Sequence, residues 1–104
     1  DRVAEAKAIN SLFASDEASM PTILAGDMNA TPDAEPIQIL LERWSNASDD
    51  PPSPSAPSIN PRSRIDYIFY RPASHFRVTH ATVIEETMAS DHRPVLADFE
   101  ITSK

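Results

Sequence analysis

Five of the chain's ten prolines fall between Asp49 and Ser63 (Pro51, Pro52, Pro54, Pro57 and Pro61), with serines between them. Proline donates no backbone N–H and fixes its own φ, so no helix or sheet ladder runs through such a stretch. Residues 49–63 therefore read as an extended surface loop or a disordered segment. A loop of this length inside a compact domain is either functional or flexible. It divides the chain into a helix–strand–helix pattern before it and three strands after it, with no internal repeat.

In the first part, Val3, Ala6, Ile9, Leu12 and Phe13 recur at helical spacing, which predicts an amphipathic helix over Arg2–Phe13 packed on a sheet. Thr22–Ala25 is a short apolar run bounded by Pro21 and Gly26, read as a buried strand. Gly26 is the only glycine and permits a sharp turn. Beyond it, Thr31 or Asp33 is the expected N-cap of a second helix. There Ile37, Leu40, Leu41 and Trp44 form one face, and the helix ends near Ser45-Asn46. Trp44 reads as core, with a substrate platform as the alternative. In the second part, Arg64–Tyr70, Phe76–Ile84 and Pro94–Ile101 alternate as strands, a pattern that points to half-exposed or antiparallel pairing.

At 104 residues the chain is at most one small domain. It has no cysteine, so disulfides and thiolate metal sites are excluded and no compartment is favoured. No apolar run approaches a membrane span, and Asp1-Arg2-Val3 does not read as a signal peptide. That start opens straight into a helical pattern, as a fragment would. The formal net charge is −7. Residues 1–50 carry ten acids against three bases, whereas residues 51–104 balance at six and six. An acidic surface argues against tight non-specific nucleic-acid binding, which needs phosphate neutralisation. It leaves room for a phosphate held by a metal and a few local arginines.

Three short stretches carry residues suited to chemistry. Asp27 and Asn29 are two apart, so they leave the end of the first strand on the same side. A carboxylate and an amide placed so can grip a metal, a water or a phosphate oxygen, or else form an Asx turn with their own backbone. Asp66 is an acid inside an apolar, aromatic strand, and a buried carboxylate requires a partner, either a loop backbone or a cationic side chain. Asp91-His92 lies in the turn before the last strand. His92 is either a solvated turn residue or a general acid/base near neutral pH, and a carboxylate would fix its tautomer and raise its pKa. Adjacent residues point oppositely, so Asp66 is better placed than Asp91 to orient His92. His75 and His80 have no comparable setting and read as a loop and a strand side chain.

Gly26-Asp27-Met28-Asn29, Arg64-Ile65-Asp66-Tyr67-Ile68 and Ser90-Asp91-His92-Arg93-Pro94-Val95 come in an order and spacing that resembles the endonuclease/exonuclease/phosphatase superfamily. The superfamily includes deoxyribonucleases, abasic-site endonucleases, inositol polyphosphate 5-phosphatases and sphingomyelinases. The chain is most similar to the broad bacterial set of these deoxyribonuclease-like proteins. The resemblance implies an α/β (α+β) fold, the C-terminal half of a four-layer α/β/β/α sandwich, with one mostly antiparallel or mixed sheet and helices on one face. It implies that Asp27 orients or deprotonates the attacking water and that Asn29 holds a phosphate oxygen or assists the metal. Asp66 would hydrogen-bond His92, whose imidazolium would stabilise charge on phosphorus or the leaving oxygen, and Asp91 would sit at a Mg²⁺ (or Mn²⁺) or water site. The expected activity is metal-dependent hydrolysis of a phosphate ester in nucleic acid, a phospholipid head group or a small molecule.

Members of the superfamily are about twice as long. Their first half supplies an Asn, a metal-binding Glu and a further His, none of which can be placed here. The whole of residues 1–104 thus reads as the C-terminal portion of the domain, completed by an N-terminal half or by a homodimer or domain swap, with the isolated fragment weak or inactive. The alternative is a non-catalytic binding or assembly module that keeps the half-fold.

Overall fold

The computed structural model describes residues 1–102. It runs as helix α1 (Arg2–Phe13), strand β1 (Thr22–Asp27), helix α2 (Glu35–Leu41) and strands β2 (Ser45–Asn46), β3 (Asp66–Arg71), β4 (Phe76–Val83) and β5 (Val95–Ile101). The class is mixed α/β, and every strand pairing among the described residues is antiparallel. The strands expected in one sheet fall into two hydrogen-bonded groups. β3 lies between β1 and β2, and β4 pairs with β5 as a hairpin. Tyr70 joins the groups, its ring 5.4 Å from Phe76 and 5.3 Å from Phe99.

The two faces of the three-stranded sheet have different fates. Residues directly opposite in an antiparallel pair share a face. Leu24 opposes Phe69 and Gly26 opposes Tyr67, all toward the helices. Tyr67 and Phe69 are fully buried and stacked at 5.3 Å, in a core with Ala6, Ile37, Leu40 and Trp44. The other face carries Ile23, Ala25 and Asp27 opposite Tyr70, Ile68 and Asp66. β1 was expected to be buried, yet Ile23 is 49% exposed. β1 is an edge strand with helices on one side only, so its alternate side chains stay open. α1 buries Ala6, with Val3 and Ile9 partly buried against the core, while Leu12 and Phe13 at its last turn are exposed.

The second helix is shorter than its apolar stripe predicts. Its N-cap is Ala34, because the side chain of Thr31 donates to Asp33 Oδ1 (2.9 Å) and neither caps the helix. After Leu41 the N–H groups of Glu42, Arg43 and Trp44 still bond to the carbonyls of Ile39 and Leu40. That turn keeps Trp44 on the core face, after which Ser45 and Asn46 pair with Tyr70 and Phe69 as β2. Trp44 is buried, as its core reading requires, and its Nε1–H donates to Asn10 Oδ1 at 3.0 Å. Asn10 Nδ2 in turn donates to the Ile39 carbonyl at 2.8 Å, tying α1 to α2.

The proline-rich segment is a loop with exposed stretches, and its middle is docked against the body of the fold. Non-proline residues carry its bonds: Ala56 and Ser63 form an antiparallel bridge, and Ser55, Ala56 and Ser58 are buried. The buried guanidinium of Arg64 anchors it, with Nη1 donating to Asp49 Oδ1 at 2.8 Å and to the Ser53 carbonyl at 3.0 Å. Burial pushes the Asp49 carboxyl up, but hydrogen bonds from Ser53 and Arg64 outweigh it and hold the pKa at about 2.

Two variants probe this packing. Trp44→Phe keeps the ring volume largely in place but orphans Asn10 Oδ1, and should lower unfolding stability by about 1–2 kcal/mol in urea melts. Asp49→Ala strands a buried cation and should cost about 3 kcal/mol. Because the folded pKa of Asp49 is depressed, its contribution is present above the ordinary value of 3.8 and is lost as pH falls toward about 2. Acid melts should therefore converge for the two proteins at low pH.

Candidate active site

β1 ends on Asp27 and β3 begins on Asp66, and the register sets these two carboxylates opposite each other on the open face. Gly26, just before, has φ +151°, a conformation costly for a side chain although a Cβ would meet nothing within 4 Å. Like charges in this arrangement repel. His92 relieves that repulsion. Its Nδ1 lies 2.8 Å from Asp66 Oδ2, and its Nε2 lies 3.9 Å from Asp27 Oδ2.

A carboxylate only accepts, so Nδ1 carries the proton toward Asp66 and Nε2 is turned toward Asp27. The gap to Asp27 is too long for a direct hydrogen bond but within ion-pair range when the ring is charged. The hydrogen bond to Asp66 is the main cause that raises the His92 pKa above its ordinary 6.5, and the nearby charges of Asp66, Asp27 and Asp91 add to it. The imidazole is thus poised to be charged near neutral pH.

Asp27 forms the Asx turn, with its second oxygen, Oδ2, left facing His92. Its Oδ1 accepts the Asn29 N–H at 2.8 Å, with Asn29 at φ 50°. Asn29 is exposed beside this end of the sheet. Ligand atoms of Asp27, Asp66 and His92 lie within 4.8 Å of one another, a grouping able to hold a metal ion. Asp91 is outside that group. It is exposed in the turn, its carboxylate 3.4 Å from Ser90 Oγ. His75 sits in a short 3₁₀ turn and His80 on the exposed side of β4, both away from the site.

One site residue had no signal in the sequence. Ser55, fully buried, donates from Oγ to Asp66 Oδ2 at 2.8 Å. Nothing in a serine among prolines marks it as a partner of a strand carboxylate 11 positions later.

The sequence pattern of the Endonuclease/Exonuclease/phosphatase family matches residues 4–92. The chain belongs to this family. Its fold is similar to that of a functionally unknown conserved protein from Enterococcus faecalis V583, with TM-score 0.77 and 22% identity. It is also similar to that of the endonuclease/exonuclease/phosphatase from Bacteroides vulgatus, with TM-score 0.73 and 21% identity. Each alignment covers 96% of this chain and 44% of the other, so the chain spans less than half the length of either structure. No protein of curated function matches it. Among the described residues no helix is long and apolar enough to cross a membrane.

Pairing raises the folded pKa of His92, so its contribution to stability is complete below the unfolded value near 6.5. It is lost as pH rises through the folded value. An NMR titration of the His92 ring should give a pKa above 6.5, and Asp66→Asn should lower it. The wild type should lose more stability than Asp66→Asn as pH rises from below 6.5 through the folded value.

Proposed function

We propose that the chain supplies part of the active site of a metal-dependent phosphoesterase that hydrolyses a phosphodiester or phosphomonoester with an activated water. Proteins of the family act on phosphoesters and commonly bind a divalent metal. The observation that carries the reading is the His92 ring, held by Asp66 at 2.8 Å and presenting Nε2 toward Asp27 Oδ2 at 3.9 Å. In-line displacement at phosphorus builds charge on the equatorial and leaving oxygens together. A positioned imidazolium answers that charge, and a carboxylate across the gap orients the water and takes up its proton.

In this reading Asp27 directs the nucleophile, Asn29 holds a phosphate oxygen and Asp66 fixes the His92 tautomer. The donor set is carboxylate, amide and imidazole without thiolate, which fits Mg²⁺ or Mn²⁺. Asp91, exposed and one residue from His92, would hold the ion. A divalent cation there supplies Lewis-acid polarisation of a phosphoryl oxygen.

We further propose that residues 1–104 form the C-terminal portion of the domain. The open sheet face and the 44% coverage of both neighbours support completion by an N-terminal half or a second copy.

The test is hydrolysis of bis-(p-nitrophenyl) phosphate by the full-length protein with Mg²⁺ or Mn²⁺. His92→Ala and Asp27→Ala should each lower kcat by at least about 10²-fold, and chelation should abolish turnover. Turnover that survives both substitutions would overturn the assignment. A folded full-length protein with neither turnover nor cation binding would favour the assembly module.

A further inference from the structure

We propose that residues 55–58 are a clamp that sets the geometry of the His92–Asp66 pair, with Ser55 as its positioning residue. The proposal deepens the phosphoesterase reading and depends on it only for the effect on turnover.

The clamp grips both partners of the pair. On the Asp66 side, Ser55 Oγ accepts the N–H groups of Ile65 (3.1 Å) and Asp66 (3.3 Å). Those two bonds occupy the acceptor sites of the hydroxyl, so its own proton is directed to Asp66 Oδ2 at 2.8 Å. This is the same oxygen that receives His92 Nδ1–H. Two donors converge on one carboxylate oxygen and fix the carboxylate's rotation.

On the His92 side, the Ser55 carbonyl accepts the Arg93 N–H at 2.6 Å and Ser58 N–H donates to the Asp91 carbonyl at 2.6 Å. Arg93 Nε also donates to the Ser58 carbonyl at 2.8 Å. The residues before and after His92 are therefore both tied to the same four-residue stretch. Just before that stretch, the buried Arg64 ties the start of the loop to β3: its Nε donates to the Asp66 carbonyl at 2.9 Å and its Nη1 donates to Asp49 Oδ1 and the Ser53 carbonyl.

Ser55→Ala isolates the hydroxyl, because the backbone bonds to Arg93 remain available. With Oγ gone, Asp66 Oδ2 loses one of its two donors and the N–H groups of Ile65 and Asp66 lose their acceptor. The carboxylate is then free to rotate away from Nδ1, and the neutral ring is released to both tautomers.

The experiment is ¹⁵N NMR of the His92 ring in the full-length protein, with kcat and KM measured on the same samples. In the wild type the neutral ring should carry its proton on Nδ1, and a slowly exchanging Ser55 hydroxyl proton should show an Overhauser contact to it. Ser55→Ala should give a mixture of tautomers and about a tenfold fall in kcat with KM unchanged. A wild-type ring protonated on Nε2, absence of the hydroxyl contact, or an unmixed Nδ1–H ring with wild-type kcat in Ser55→Ala would each overturn the clamp. The wild-type measurement decides the case if the variant does not fold. An inactive wild type with the expected ring signature would sink the phosphoesterase reading and leave the clamp standing.

Discussion

Asp27 and Asp66 stand directly opposite each other at the end of an antiparallel pair, on the face the helices do not cover. Such an arrangement is unfavourable unless a donor or a cation lies between the two groups. His92 meets that requirement only when the turn before β5 is brought against β3, which places the hairpin. The Tyr70, Phe76 and Phe99 rings provide the apolar contact that holds the hairpin there. The relief of one repulsion thus depends on, and helps to fix, the placement of two strands.

The period of two along β3 separates the tasks of the fold. Tyr67 and Phe69 point into the core, where Tyr67 Oη also donates to the Ala30 carbonyl at 2.7 Å, just beyond Asn29. Asp66 and Ile68 point the other way, toward the open face. A shift of one residue in the β1–β3 register would bury Asp66 and expose Phe69. Core packing and site geometry are therefore specified by the same alignment, and the buried rings make the register stiff where the carboxylates need it.

The parts of this architecture visible in the sequence were those encoded locally. Asp27 and Asn29 after Gly26, Asp66 in an aromatic strand, and His92 before the last strand each carry a signal within a few residues, and the pairing of Asp66 with His92 follows from strand alternation. What was not legible depends on contacts distant in sequence. β2 was absorbed into the second helix because Trp44 does complete the helical stripe, and only pairing with Tyr70 and Phe69 makes Ser45-Asn46 a strand. The composition of residues 49–63 correctly excludes a helix or a long ladder. It says nothing about where a proline-rich segment docks, because that is decided by one buried arginine and one serine hydroxyl.

The charge distribution narrows what the open face can recognise. Of the seven arginines, Arg43, Arg64 and Arg77 pair with Asp16, Asp49 and Glu100, and Arg71 and Arg93 are bonded to backbone carbonyls. Most of the cationic capacity is thus engaged within the chain, on a protein already at net charge −7. Affinity for a long nucleic acid grows with the number of phosphates neutralised by lysine and arginine. This portion of the protein offers few such contacts; where β1 and β3 meet the turn before β5 it instead brings the carboxylates of Asp27 and Asp66 around the His92 imidazole.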